Sequence, residues 1–135
     1  MAGPLVGRRI LVVEDEYMIA DDLICELAQA GAEVVGPAGS LPQAVALLKQ
    51  AEPLDAAVLD VNLRELLAFP LIDELLERQV KVLICTGYDD AMIPERYRGL
   101  PRCEKPVLPR KLLAALLECL GGPNPTIKPA MPLRR

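Results

Sequence analysis

Asp60 ends one short apolar run, Ala56-Ala57-Val58-Leu59, and Glu14-Asp15 end another, Ile10-Leu11-Val12-Val13. Thr86 closes a third run, and Lys105 follows a weaker one and precedes Pro106, which favours extended backbone before it. Each residue has a plain reading when taken alone. Asp60 could cap a helix or make a turn. Glu14, Asp15 and Glu16 suit a helix N-terminus, where negative charge is stabilising by roughly 0.3–1 kcal/mol each. Thr86 is an ordinary β-branched strand residue, and Lys105 an ordinary solvated lysine. None of these readings explains why all of them stand at the ends of apolar runs. Three carboxylates in one crevice repel one another, so either a pKa rises or a cation enters. A hard, oxygen-preferring ion such as Mg²⁺ suits such a site. With a hydroxyl and an ammonium added, the set offers a nucleophile, a metal site and stabilisers for phosphoryl oxygens, the requirements of phosphoryl transfer.

These residues meet only if the elements carrying them are suitably ordered. Apolar runs of four to seven residues between polar flanks read as strands of a parallel sheet buried on both faces. Strands are expected at 8–13, 34–36, 56–59, 80–86 and, weakly, 100–104. Between them the period changes. Ile19, Leu23 and Leu27 form a helical stripe that Gly31 ends. Ser40-Leu41-Pro42-Gln43 has the form of a capping box ahead of Ala44, Val45 and Leu48. Residues 66–79 read as a third helix whose start Pro70 interrupts, with Ile72, Leu75 and Leu76 inward. Residues 88–99 read as a loop with at most a short helix. A last helix opens near Pro109, with Leu112, Leu113, Leu116, Leu117 and Leu120 on one wide face, and Gly121-Gly122 end it. Alternating strands and helices imply right-handed crossovers. The resulting fold class is α/β, a flavodoxin-like (βα)5 three-layer sandwich with a five-stranded parallel sheet in order 2-1-3-4-5. In that order the first and third strands are neighbours at the switch point, and ligands bind beyond their carboxyl ends. Glu14, Asp15 and Asp60 then converge.

Composition sets bounds on the rest. At 135 residues the chain fits one domain: a lead at 1–7, a folded part at 8–120, and a proline-rich tail at 121–135 expected to be disordered. Hydrophobic residues make up 52% and aromatics only 3%, so the core is aliphatic. A net charge of −4 argues against a general nucleic-acid binder. The apolar runs are too short to span a membrane, and the start lacks a secretory signal, so a cytoplasmic protein is expected. Cys25, Cys85, Cys103 and Cys119 form no C-x-x-C pair, and without histidine they make no zinc site; they read as reduced thiols.

In order and spacing, Val12-Val13-Glu14-Asp15-Glu16, Leu59-Asp60-Val61-Asn62, Cys85-Thr86-Gly87 and Glu104-Lys105-Pro106 resemble the receiver domains of bacterial two-component response regulators. Cys85-Thr86-Gly87-Tyr88 resembles more narrowly the single-domain subgroup with a Phe-Ala-Thr-Gly-(hydrophobic)-Tyr signature, although Ile84-Cys85 replaces its Phe-Ala. The resemblance implies that Asp60 is the phosphoryl acceptor and that Glu14, Asp15 and Asp60 hold Mg²⁺. It implies that Asn62 gives its main-chain carbonyl to the metal, that Thr86 and Lys105 bind the phosphoryl group, and that the Lys105–Pro106 peptide is cis. Arg102 stands where many receivers carry a switch aromatic, and the loop after Asn62 lacks the glycine often found there.

The expected function is therefore that of a stand-alone receiver, phosphorylated by a sensor histidine kinase and catalysing only its own phosphorylation and dephosphorylation. Its output would come from binding a downstream regulator or from draining phosphate, with residues 88–99 as the responding segment. Two alternatives stay open. One is a pseudo-receiver that is never phosphorylated. The other is an aspartyl-nucleophile phosphatase of the haloacid dehalogenase type, disfavoured because Tyr17, not Asp, lies two residues after Asp15.

Overall fold

Strands that are apolar along their whole length must be covered on both faces, and this chain covers them. The computed structural model describes residues 3–50, 53–63, 66–87 and 93–121. In chain order the elements are β1 (Arg9–Val13), α1 (Tyr17–Gln29), β2 (Glu33–Ala38), α2 (Leu41–Leu48), β3 (Ala56–Leu59), β4 (Asn62–Leu63), β5 (Leu66–Leu67), α3 (Phe69–Glu77), β6 (Lys81–Thr86), β7 (Arg102–Glu104) and α4 (Pro109–Gly121). A 3-10 turn at Glu95–Tyr97 lies between β6 and β7. Five strands form one parallel sheet in the order β2-β1-β3-β6-β7, the expected 2-1-3-4-5 once the small hairpin is set aside.

Alternation along the strands divides the interior into two cores. Leu11, Val13, Ala57, Leu59, Val82 and Ile84 face one side, where α2 and α3 supply Ala44, Leu48, Ile72 and Leu75. Ile10, Val12, Ala56, Val58, Leu83, Cys85 and Cys103 face the other, under Leu23 and Leu27 of α1 and Leu112 and Leu116 of α4. Leu5, ahead of β1, belongs to this second core, and its N–H donates to the Ala30 carbonyl at 2.8 Å.

Three details differ from the sequence expectation. The third helix starts at Phe69 rather than 66, because the Pro70 ring would meet the carbonyl four residues back, that of Leu66. Leu66–Leu67 instead pairs antiparallel with Asn62–Leu63, shortly after β3. Leu117 is 44% exposed, so the apolar face of α4 is narrower than the run of leucines suggests. The capping box holds in altered form: Ser40 Oγ accepts from the Gln43 N–H at 3.3 Å, while Gln43 Oε1 accepts from Gly39 rather than from Ser40. Residues 88–92, and the tail from 122 onward, lie outside the described residues, as does the centre of the hairpin at 64–65.

Candidate functional site

Neighbouring strand ends place the carboxylates. β1 and β3 are paired from Ile10↔Ala56 to Val13↔Leu59, so their carboxyl ends are level. Glu14 is the first residue beyond β1; its N–H donates to the Ala38 carbonyl at 2.9 Å. That contact depends on a bend in β2. Gly36 has φ +105, and a Cβ there would lie 2.8 Å from the Val12 carbonyl oxygen, so only glycine lets β2 pass this close to β1. Asp60 is the first residue beyond β3, and its N–H donates to the Val13 carbonyl at 3.0 Å. Backbone bonds thus hold both acids before any side chain acts.

The side chains converge as the strand order requires. Carboxylate oxygens of Glu14, Asp15 and Asp60 all lie within 4.8 Å of one another. Glu14, Asp60 and Thr86 are the buried polar residues of the described chain, and Asp15 is half-buried. Lys105 arrives from the end of β7, its N–H donating to the Thr86 carbonyl at 3.1 Å, with a cis peptide to Pro106. Its Nζ donates to Asp60 Oδ2 at 2.8 Å and forms an ion pair with Glu14 Oε1 at 2.9 Å. The pair with Glu14 is off hydrogen-bond geometry, so this fully buried oxygen keeps lone-pair capacity unused. Glu14 Oε2 accepts from the Glu16 N–H at 3.1 Å.

Burial pushes the Glu14 carboxyl above its ordinary value, against the pull of Lys105 and the Glu16 amide, and the charge of Asp60 adds to the rise. Burial would lower the Lys105 amine, but its hydrogen bond to Asp60 and its ion pairs with Asp60 and Glu14 outweigh this and raise it. One cation facing three acids leaves net negative charge at the site. The donor set is all oxygen, and one buried oxygen lacks an aligned donor, which suits a small hard divalent cation such as Mg²⁺.

Glu14, Asp15, Asp60, Thr86 and Lys105 therefore all stand at the expected end of the sheet. The backbone of Asn62 starts β4, two residues past Asp60. Two features were not read from the sequence. Tyr97 is buried, its ring stacked on Phe69 at 4.7 Å, and its hydroxyl donates to Asp73 at 2.9 Å while Arg96 reaches both. In a chain with one Phe and three Tyr, a buried aromatic pair could have been suspected from scarcity alone. Cys85 and Cys103 are direct register partners on β6 and β7, visible in the sequence only once the two strands are aligned. Arg102 lies half-buried on β7 with Nη2 3.3 Å from the Arg98 carbonyl, so it is not drawn inward behind Thr86.

Sequence and fold are both similar to those of known proteins. The chain is 31% identical over 98 residues to the transcriptional regulatory protein PdtaR of Mycobacterium tuberculosis (strain CDC 1551 / Oshkosh), a match covering 72% of this chain and 47% of PdtaR. The chain thus spans about half the length of that curated relative. Its structure is similar to that of SdrG from Sphingomonas melonis Fr1, with a TM-score of 0.75 and 32% identity over 84% of this chain and 96% of that one. It is also similar to the BeF3-activated conformation of SdrG from Pseudomonas melonis Fr1, with a TM-score of 0.68 and 35% identity over 81% and 95% of the two chains. The response regulator receiver domain family matches residues 10–116, and with its acids, hydroxyl and lysine at the strand ends the chain belongs to that family.

Proposed function

We propose that this chain accepts a phosphoryl group on Asp60 from a sensor histidine kinase in two-component signalling. The observation that carries the reading is the Lys105 ammonium set between Asp60 and Glu14, at 2.8 and 2.9 Å, with the Asp15 carboxylate beside them. An Asp60 carboxylate oxygen attacks phosphorus, the P–N bond to the kinase histidine breaks, and an acyl phosphate forms. Lys105 is within reach of Asp60 and offers its charge to the incoming phosphoryl oxygens, and Thr86 at the end of β6 offers a hydroxyl. Glu14, Asp15 and the Asn62 main-chain carbonyl would hold Mg²⁺, which when bound neutralises charge on the phosphoryl oxygens. SdrG has a BeF3-activated conformation, which supports the same phosphoryl chemistry in this chain.

The chain catalyses only its own phosphorylation and dephosphorylation and acts as a cytoplasmic receiver. Its output is partner binding or phosphate drainage. Among the described residues no helix is long and apolar enough to cross a membrane. The test is labelling by acetyl phosphate with Mg²⁺, followed by intact mass. Wild type should gain one phosphoryl group, and Asp60→Asn none, with an unchanged fold by circular dichroism. Full labelling of folded Asp60→Asn overturns the assignment.

A further inference from the structure

Cys85 and Cys103 face each other across the β6–β7 edge of the sheet, in direct register, and both side chains lie in the core beneath α4. Paired strands stand ~4.8 Å apart, inside the Cα separation of about 4.4–6.8 Å that a disulfide spans. Cβ atoms in a disulfide approach to about 3.8 Å, so closing one here requires a strand shift of about 1 Å. β7 can make that shift: it has three residues and pairs on one side only. We propose that Cys85 and Cys103 are a peroxide-oxidisable pair, with Cys103 attacking and Cys85 resolving, whose disulfide draws β7 toward β6 and displaces Lys105 from the carboxylates.

Access and chemistry distinguish the two thiols. Cys85 is fully buried, whereas Cys103 is 9% exposed and lines an open cavity of about 730 Å³ with Lys105 and Lys111 on its wall. The Cys85 thiol facing it across the strands holds the Cys103 thiol below its ordinary value; burial opposes this and the Lys111 charge adds to it. The same facing thiol, then burial, pushes Cys85 up. The thiolate, the reactive form, is therefore favoured at the less deeply buried of the two cysteines, the one on the cavity wall.

The oxidant is a hydroperoxide. Cys103 sulfur attacks its terminal oxygen; an S–O bond forms, the O–O bond breaks, and the alkoxide leaves and takes a proton as alcohol. Cys85 then attacks the sulfenic sulfur; an S–S bond forms, the S–O bond breaks, and hydroxide leaves as water with the Cys85 proton. Two thiols lose two electrons, and the peroxide gains them. Lys105 is two residues past Cys103, and its N–H is tied to Thr86, the residue after Cys85. A misplacement of about 1 Å at a reacting site can cost up to ~100-fold in rate.

The test uses the full chain in a Cys25→Ala/Cys119→Ala background, which removes the exposed and the half-exposed thiols. It is treated with hydrogen peroxide, then mapped by peptide mass and labelled with acetyl phosphate. The expected product is one intramolecular bond between the two peptides, about 2 Da lighter than the reduced chain. Labelling should then be about tenfold slower and recover on reduction. Cys103 found as sulfinic or sulfonic acid with Cys85 still a thiol, or a bond between two chains, overturns the pair. A correct disulfide with unchanged labelling overturns the displacement of Lys105. The covalent step does not depend on the receiver reading. The effect on Asp60 does, and reduced protein that takes no label at all identifies a failure of that reading instead.

Discussion

The two walls of the crevice are built to different standards. Glu14 and Asp60 sit at the ends of β1 and β3, each strand paired on both sides, and each acid is tied by its own backbone to a neighbouring strand. The opposite wall hangs from β7, three residues long and paired only to β6, and from the turn that precedes it. Lys105, the cation that bridges the acids, belongs to the weaker wall. A site that must hold a metal and a nucleophile in fixed geometry needs the first kind of support. A site that must report a new charge needs the second, because only a loosely held element has alternative arrangements within a few kcal/mol.

The sharpest break in that comparison comes from the fixed wall. Asp15→Ala is expected to lower Mg²⁺ affinity by about a hundredfold or more and to abolish labelling by acetyl phosphate. Asp15 is half-buried and outside the apolar core, so stability should change by no more than ~0.5 kcal/mol. Amide NMR titration with Mg²⁺, beside a denaturant melt, checks both. Unchanged affinity would make Asp15 a helix-start acid and nothing more.

Lys105→Ala tests the movable wall. It leaves Glu14 and Asp60 buried with no cation between them, so stability in chelator should fall by ~1–3 kcal/mol. Mg²⁺ should restore most of that loss, because the acids that would hold it remain. The check is a urea midpoint with EDTA and with Mg²⁺. Equal losses in both would mean that Lys105 matters for packing rather than for charge.

How much of this was readable beforehand follows the same division. The central strands were legible because burial on both faces leaves unbroken apolar runs, and the acids were legible because they end those runs. The edge was harder. The backbone of Leu66–Leu67 is as compatible with a helix as with a hairpin until Pro70 is set against the Leu66 carbonyl. Residues 88–99 look apolar-poor as a block, yet Ile93 and Tyr97 at its described end are buried, and Leu100 just beyond it is too. The partners of Tyr97, Phe69 and Asp73, lie more than twenty residues away on α3, and no local period announces such a contact. The loop read at 88–99 is therefore anchored on α3 at its described end.

Tyr97→Phe gives the smallest effect and the finest discrimination. The Tyr97 hydroxyl donates to Asp73 and accepts from Arg96 at 2.9 Å, and the variant keeps the ring on Phe69 while removing both bonds. A net loss of ~1 kcal/mol at neutral pH is expected. Burial, then the hydrogen bond and charge of Asp73, raise the Tyr97 phenol to about 12 from an ordinary 10.0. The folded state therefore keeps a proton that the unfolded chain gives up first. The stability this contributes is whole below pH 10 and is lost as pH rises from there toward 12. Lys105 loses its own contribution at alkaline pH, but it does so in wild type and variant alike, so the difference between them isolates Tyr97. Urea midpoints should differ at pH 8 and converge between pH 10 and 12, while acetyl phosphate labelling stays within about twofold of wild type. A loss of labelling as large as that of Asp15→Ala would mean that the turn supports the acids directly, and the division between a fixed chemical wall and a movable reporting wall would fail.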